Sequence, residues 1–126
     1  DLSIKYPISV KGILVENGRV LLLKNESFIY DLPGGKVEPH QSIEGALIDE
    51  FKEETNLTIK IKSLLDIKKL HINNRDILIA TYEVENISSD PIKISYENWG
   101  YNFIKIKNLR DHEIKQWIVD LLKNLS

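Results

Sequence analysis

The segment SIEGALIDEFKEETN, residues 42–56, can form a helix only at an electrostatic cost. At about 100° per residue, Glu53 falls roughly 60° to one side of Glu50 and Glu54 roughly 40° to the other. All three carboxylates therefore share one face. Like charges at these spacings each destabilise a helix by about a few tenths of a kcal/mol. Lys52 points the opposite way and does not compensate. The rest of the segment still favours a helix over residues 42–55: Ile43, Ala46, Leu47 and Phe51 form an apolar stripe, and Ser42 is placed to cap the start. Gly45 weakens it by about 1 kcal/mol relative to Ala. A divalent cation would reverse the sign of the crowding, because all-oxygen carboxylate sites suit Mg²⁺ or Mn²⁺. A solvated acidic face is the plainer reading of the same charges.

The preceding turn, LPGGKVEP, narrows the choice. Gly34 and Gly35 allow a backbone to come close to a ligand, and turns of this kind can aim N–H groups at phosphate oxygens. Pro33 stiffens the approach. By itself this is an ordinary tight turn.

Turn and carboxylates together resemble the Nudix box, whose pattern is G-x(5)-E-x(7)-R-E-U-x-E-E-x-G-U, with U a bulky aliphatic residue. From Gly35 the chain keeps this spacing through Gln41, Asp49, Glu50, Glu53, Glu54 and Asn56 to Leu57. Three positions depart from it. Gln41 stands for the early Glu, Asp49 for the Arg and Asn56 for the Gly. Asn56 is a mild change, since Asn accepts the left-handed geometry that ends helices. In the family, the Arg and the early Glu support the metal-binding glutamates from behind. A Gln41 amide donating to Asp49 would exchange one polar pair for another.

The resemblance implies a Nudix-type α/β/α sandwich, with a mixed β-sheet between the box helix and the C-terminal helix, as a single domain over residues 1–126. It also implies a metal-dependent hydrolase that cleaves the diphosphate linkage of a nucleoside diphosphate joined to another moiety. A nucleoside triphosphate or a nucleotide sugar falls within that class. Mg²⁺ or Mn²⁺ would be held by Glu50, Glu53, Glu54 and Glu97. Glu97 enters because it precedes Phe103 by six residues and Leu109 follows by six, a spacing seen in family members that equally fits an exposed loop glutamate. Glu50 and Glu53 are the expected catalytic carboxylates, with Glu54 and Glu97 also open as the acceptor of the water proton. Gly34 and Gly35 form the expected phosphate loop, and Gln41 and Asp49 lie behind the ligands. The alternative is a nucleotide-binding or regulatory domain of the same fold without hydrolysis, which the changes at Gln41 and Asp49 favour.

The remaining chain divides cleanly. Strands are expected at residues 8–15 and 19–24 around Asn17-Gly18, the strongest short hairpin signal. A short extended piece ends at Pro33. Strands follow at 57–72 and 76–85, with the turn marked by Asn73, Asn74 and Asp76, then a loop at 86–91 and candidate strands at 92–95 and 101–106. A final amphipathic helix is expected over 112–124, its start near Asp111. Ile114, Trp117, Ile118, Leu121, Leu122 and Leu125 share its apolar face.

Composition excludes other chemistries. There is no cysteine, which rules out disulfides, thiolate metal sites and Cys nucleophiles and suits a reducing cytoplasm. A net charge of −2 advertises no polycationic surface. No apolar run approaches the roughly 20 residues that span a bilayer. The chain shows no signal-peptide pattern, and its lack of an initial Met is expected of a trimmed start. His40, His71 and His112 have no metal-ligand spacing. Tyr30, Trp99 and Tyr101 could stack on a base, although aromatics near strand ends more often pack in the core or rim. The expected partner is a small nucleotide-type substrate. Neither a membrane nor a stable nucleic-acid partner is expected, and a homodimer is left open.

Overall fold

A computed structural model describes residues 6–125. Strands β1 (Ile8–Glu16) and β2 (Arg19–Lys24) form the expected hairpin. Asn17 and Gly18 take φ values of 54° and 74°, which a type I′ turn requires. The chain continues through β3 (Tyr30–Asp31), β4 (Gly34–Lys36) and helix α1 (Ile43–Thr55). Then come β5 (Ile59–Ile72), β6 (Arg75–Asn86), β7 (Gly100–Lys105) and helix α2 (Gln116–Leu125).

The sheet is mixed, and β1 is its pivot. This strand pairs antiparallel with β4 over residues 9–11 and parallel with β6 over residues 8–14, while its last two residues pair with β2. Strand β2 in turn carries β7 along its length and β3 at its end. Period-two alternation in β2 sends side chains to both faces. Val20 and Leu22 join Ile13 and Ile104 beneath Ile118 and Leu122 of α2. Leu21 and Leu23 join Val10 and Leu14 beneath Ala46, Leu47 and Phe51 of α1. The sheet therefore lies between the two helices, as expected. Gly12 lets α1 sit close, since a Cβ there would lie 2.5 Å from the Phe51 ring.

Four local expectations need correction. Residues 34–36, read as part of a turn, form β4. Residues 92–95 are not a strand, because their donors serve the end of α1 instead of a ladder. Lys93 N–H donates to the Thr55 carbonyl at 2.9 Å and Ser95 N–H to the Glu54 carbonyl at 3.2 Å, satisfying helix-end acceptors. The final helix begins at Gln116, not residue 112. Ile106–Asp111 form a 3₁₀ turn that includes Asp111, and the next residues are drawn to β3: Tyr30 N–H donates to the Glu113 carbonyl at 2.8 Å. Leu125 remains in the helix but is exposed instead of packed. Strand β5 also departs from regular pairing, with register shifts between Ile61 and Ser63 and between Leu64 and Asp66.

Among the described residues, no helix is long and apolar enough to cross a membrane.

Candidate active site

Helix α1 begins at Ser42, whose hydroxyl accepts from Gly45 N–H at 3.0 Å. It ends at Asn56 in the left-handed conformation, with φ of 69°. Ala46, Leu47 and Phe51, buried on the sheet, fix the rotation of α1 about its axis, and with it the direction of the glutamate face. Strand β4 crosses that face. Gly34 N–H donates to Glu54 Oε1 at 2.8 Å, so this donor is committed to a carboxylate. A Cβ at Gly35 would sit 2.8 Å from the Glu50 carboxyl carbon. The two glycines let α1's carboxylates rest against the β4 backbone.

Burial raises the Glu54 pKa to about 7, with a smaller push from the Glu50 charge. The Gly34 N–H, Lys11 and an Asn98 side-chain hydrogen bond pull the other way. Glu50 is also raised, first by burial and then by the charges of Glu53, Glu97 and Asp49, with Lys11 opposing. Glu97 thus acts on Glu50 from the loop that Lys93 and Ser95 tie to α1. It lines the same cleft, of about 640 Å³, as Lys11, Asp31, Glu54, Asn98 and Trp99. Gln41 Nε2 donates to Asp49 Oδ2 at 3.4 Å, while Gln41 Oε1 accepts from Glu38 N–H at 3.0 Å.

The donor set suits a hard divalent cation, being all carboxylate oxygen and mutually repulsive. Among the described residues, however, no three His, Asp or Glu side chains converge closely enough to form a metal site. Glu54 is instead turned onto the Gly34 N–H. His40 is exposed in the loop before α1.

Lys11, Asp31 and Lys115 were not anticipated as site residues. Lys11 Nζ reaches Asp31 Oδ2 at 3.4 Å and the Leu32 carbonyl at 3.3 Å, and Lys115 meets the same Asp31 oxygen at 2.7 Å. The signal was a lone charge in the largely apolar run ISVKGILV. Period two puts Lys11 on the face of buried Ile13, where a charge needs a reason.

The NUDIX domain profile matches residues 5–121. An ADP-ribose pyrophosphatase of Methanocaldococcus jannaschii is 42% identical over 64 residues, which is 48% of this chain and 38% of that protein. The chain thus spans well under half the length of this relative. Among solved structures, a MutT protein of Methanosarcina mazei superposes with a TM-score of 0.84 at 23% identity, covering 98% of this chain and 95% of that one. A MutT NUDIX hydrolase of Burkholderia pseudomallei gives 0.86 at 19% identity, covering 98% and 100%. These two likenesses speak for the fold. With the profile spanning nearly the whole chain and the box spacing kept from Gly35 to Leu57, the protein belongs to the NUDIX domain family.

Proposed function

We propose that residues 1–126 form a single domain that hydrolyses the diphosphate linkage of a nucleoside diphosphate joined to another moiety, in a divalent-metal-dependent reaction. The observation that carries this reading is the cleft lined by Glu54, Glu97 and Lys11, with Glu50 of α1 close enough to feel the charges of Glu97 and Lys11. Glu50, Glu53, Glu54 and Glu97 would hold Mg²⁺ or Mn²⁺. The ion, when bound, supplies positive charge against the diphosphate and the departing phosphate.

The chain's own residues supply the remaining functions. Glu50 and Glu53 are the candidate acceptors of the water proton, and burial with like-charge neighbours raises the Glu50 pKa above the usual carboxylate value. Lys11, fixed by Asp31 and the Leu32 carbonyl, offers a positive charge to a phosphate oxygen. Gly34 and Gly35 allow the β4 backbone to approach. The absence of cysteine supports a cytoplasmic setting.

The name of the M. jannaschii relative makes ADP-ribose the first substrate to try, followed by nucleoside triphosphates, nucleotide sugars and dinucleotides. Release of phosphate or nucleoside monophosphate is expected with Mg²⁺ or Mn²⁺ and not with EDTA. No metal-dependent release from any of these substrates would overturn the reading. Asp49, which adds negative charge beside Glu50, favours the second reading of a binding domain without hydrolysis. Nucleotide or metal binding without turnover would select it.

The Gln41–Asp49 contact gives a further prediction. Gln41→Glu alone adds a negative charge beside Asp49, and Asp49→Arg alone places an unpaired cation beside the glutamates. Together they form an opposite-charge pair. The rate constants of the four variants are expected to be non-additive by about 1 kcal/mol or more, as for groups in contact. Simple additivity would mean that the 3.4 Å contact does not influence the site.

A further inference from the structure

Trp99 lines the cleft and Phe28 packs against its ring, with neither drawn into the core. Phe28 is 57% exposed and Trp99 63% exposed. Their ring centroids lie 5.3 Å apart, with planes tilted by 55°. Phe28 sits in the turn between β2 and β3 with φ of 61°, a left-handed conformation that bulky residues rarely adopt.

Asn25 over-determines that turn. Its carbonyl accepts from Phe28 N–H at 2.9 Å, and its N–H donates to the Ile29 carbonyl at 3.0 Å. Its side-chain oxygen accepts from the N–H groups of Ser27 at 2.9 Å and Ile29 at 3.1 Å. A backbone kept in a sparsely populated conformation by its surroundings is a device for aiming a side chain. Trp99 is held at its backbone from the other side, its main-chain N–H donating to the Lys24 carbonyl at 2.8 Å. It follows Glu97 by two residues and lines the cleft with Lys11, Asn25 and Glu54.

Strain at Phe28 and two large rings left largely in water are both unfavourable, and the contact between the rings does not remove the exposure of either. A flat ring placed against them would. Beside Lys11 the wall carries Glu26, Asp31, Glu54 and Glu97, so the cleft suits a ligand that is aromatic at one end and, with a divalent cation between it and the carboxylates, anionic at the other. We propose that Phe28 and Trp99 form a stacking shelf for the base of a nucleotide, a claim that rests on the nucleotide reading of this cleft. Every base has a π face, so the shelf holds the nucleotide without selecting among bases.

Calorimetric titration tests this with AMP and GMP as probes bearing a base, and ribose 5-phosphate and pyrophosphate as probes without one, all with Mg²⁺ present. AMP and GMP are expected to bind about tenfold more tightly than ribose 5-phosphate. Trp99→Ala should remove that advantage and leave pyrophosphate affinity unchanged, and Trp99→Phe should keep most of it. Phe28→Asn should weaken AMP binding while leaving Tm equal or higher, because Asn tolerates the left-handed conformation. A ring kept only for packing would lower Tm instead and overturn the proposal. So would AMP binding no more tightly than ribose 5-phosphate, or AMP and pyrophosphate affinity falling together in Trp99→Ala. Trp99-dependent AMP binding without hydrolysis of any nucleotide would uphold the shelf and sink the hydrolase; hydrolysis indifferent to Trp99 would do the reverse.

Discussion

Replacing Glu54 with Gln is expected to make the metal-free protein more stable at pH 8 while lowering turnover about a hundredfold or more. The stability gain follows from the carboxyl's position in the fold. Burial raises its pKa from 4.5 to about 7, so the folded state prefers the protonated form. Between those pH values the folded chain binds the proton more tightly than the unfolded chain does. The contribution to stability is therefore full below about pH 4.5 and lost as pH rises through 7, a difference of roughly 3 kcal/mol at most. A Gln side chain carries no charge and keeps an oxygen for the Gly34 N–H. Thermal unfolding of EDTA-treated protein should show a Tm that falls from pH 5 to pH 8 in the native chain, with a shallower fall in Glu54→Gln. An unchanged pH dependence would place the titrating group elsewhere. Unchanged turnover would remove Glu54 from the site.

The two glycines of β4 should separate fold from chemistry. At Gly34, φ is 147°, and a Cβ would run into the Val10 carbonyl of the neighbouring strand. Both obstacles are backbone, with little room to yield. Gly34→Ala should cost about 3 kcal/mol or more, lowering Tm by roughly 10 °C. At Gly35 the obstacle is the movable end of Glu50, 2.8 Å away. Gly35→Ala should cost less than about 1 kcal/mol in stability, yet displace the carboxylate and lower turnover by about tenfold to a hundredfold. Denaturant melts and steady-state rates on the same preparations would check both. Equal stability losses in the two variants would contradict the geometry.

These glycines mark the boundary of what local pattern reveals. The β1–β2 hairpin, the limits of α1 and the electrostatic coupling of Glu50 to Glu53 and Glu54 were legible, because each depends on residues a few positions apart. Convergence of the three carboxylates on one point is not observed among the described residues. The two-sided core was legible from the stripes on both helices. The role of residues 92–95 was not. Their alternation suits a strand, but the open carbonyls at the end of α1 compete for the same N–H groups. The start of α2 was misplaced for a similar reason, since Tyr30 of β3 takes up the backbone of Glu113. Lys11 shows the limit at the site itself. Its oddness in an apolar strand was visible, but its partners Asp31, Leu32 and Glu54 are distant in sequence and come together only when β1, β3 and α1 are assembled.

The irregular pairing of β5 also bears on how copies of this chain meet one another. Strand β5 ends the sheet path, and its outer side pairs with no other strand among the described residues. An open edge with exposed Leu64 and Ile67 is a template on which a foreign strand could add. Such addition needs an even row of donors and acceptors. The shifts at Ile61/Ser63 and Leu64/Asp66 interrupt that row midway, and bulges of this kind twist an edge away from a flat partner. Lys60, Lys62, Lys68 and Lys69 stand on either side of the break, so a second copy docking edge to edge would bring like charges together. What looks like imperfect register within one molecule is a guard against cross-β growth between molecules.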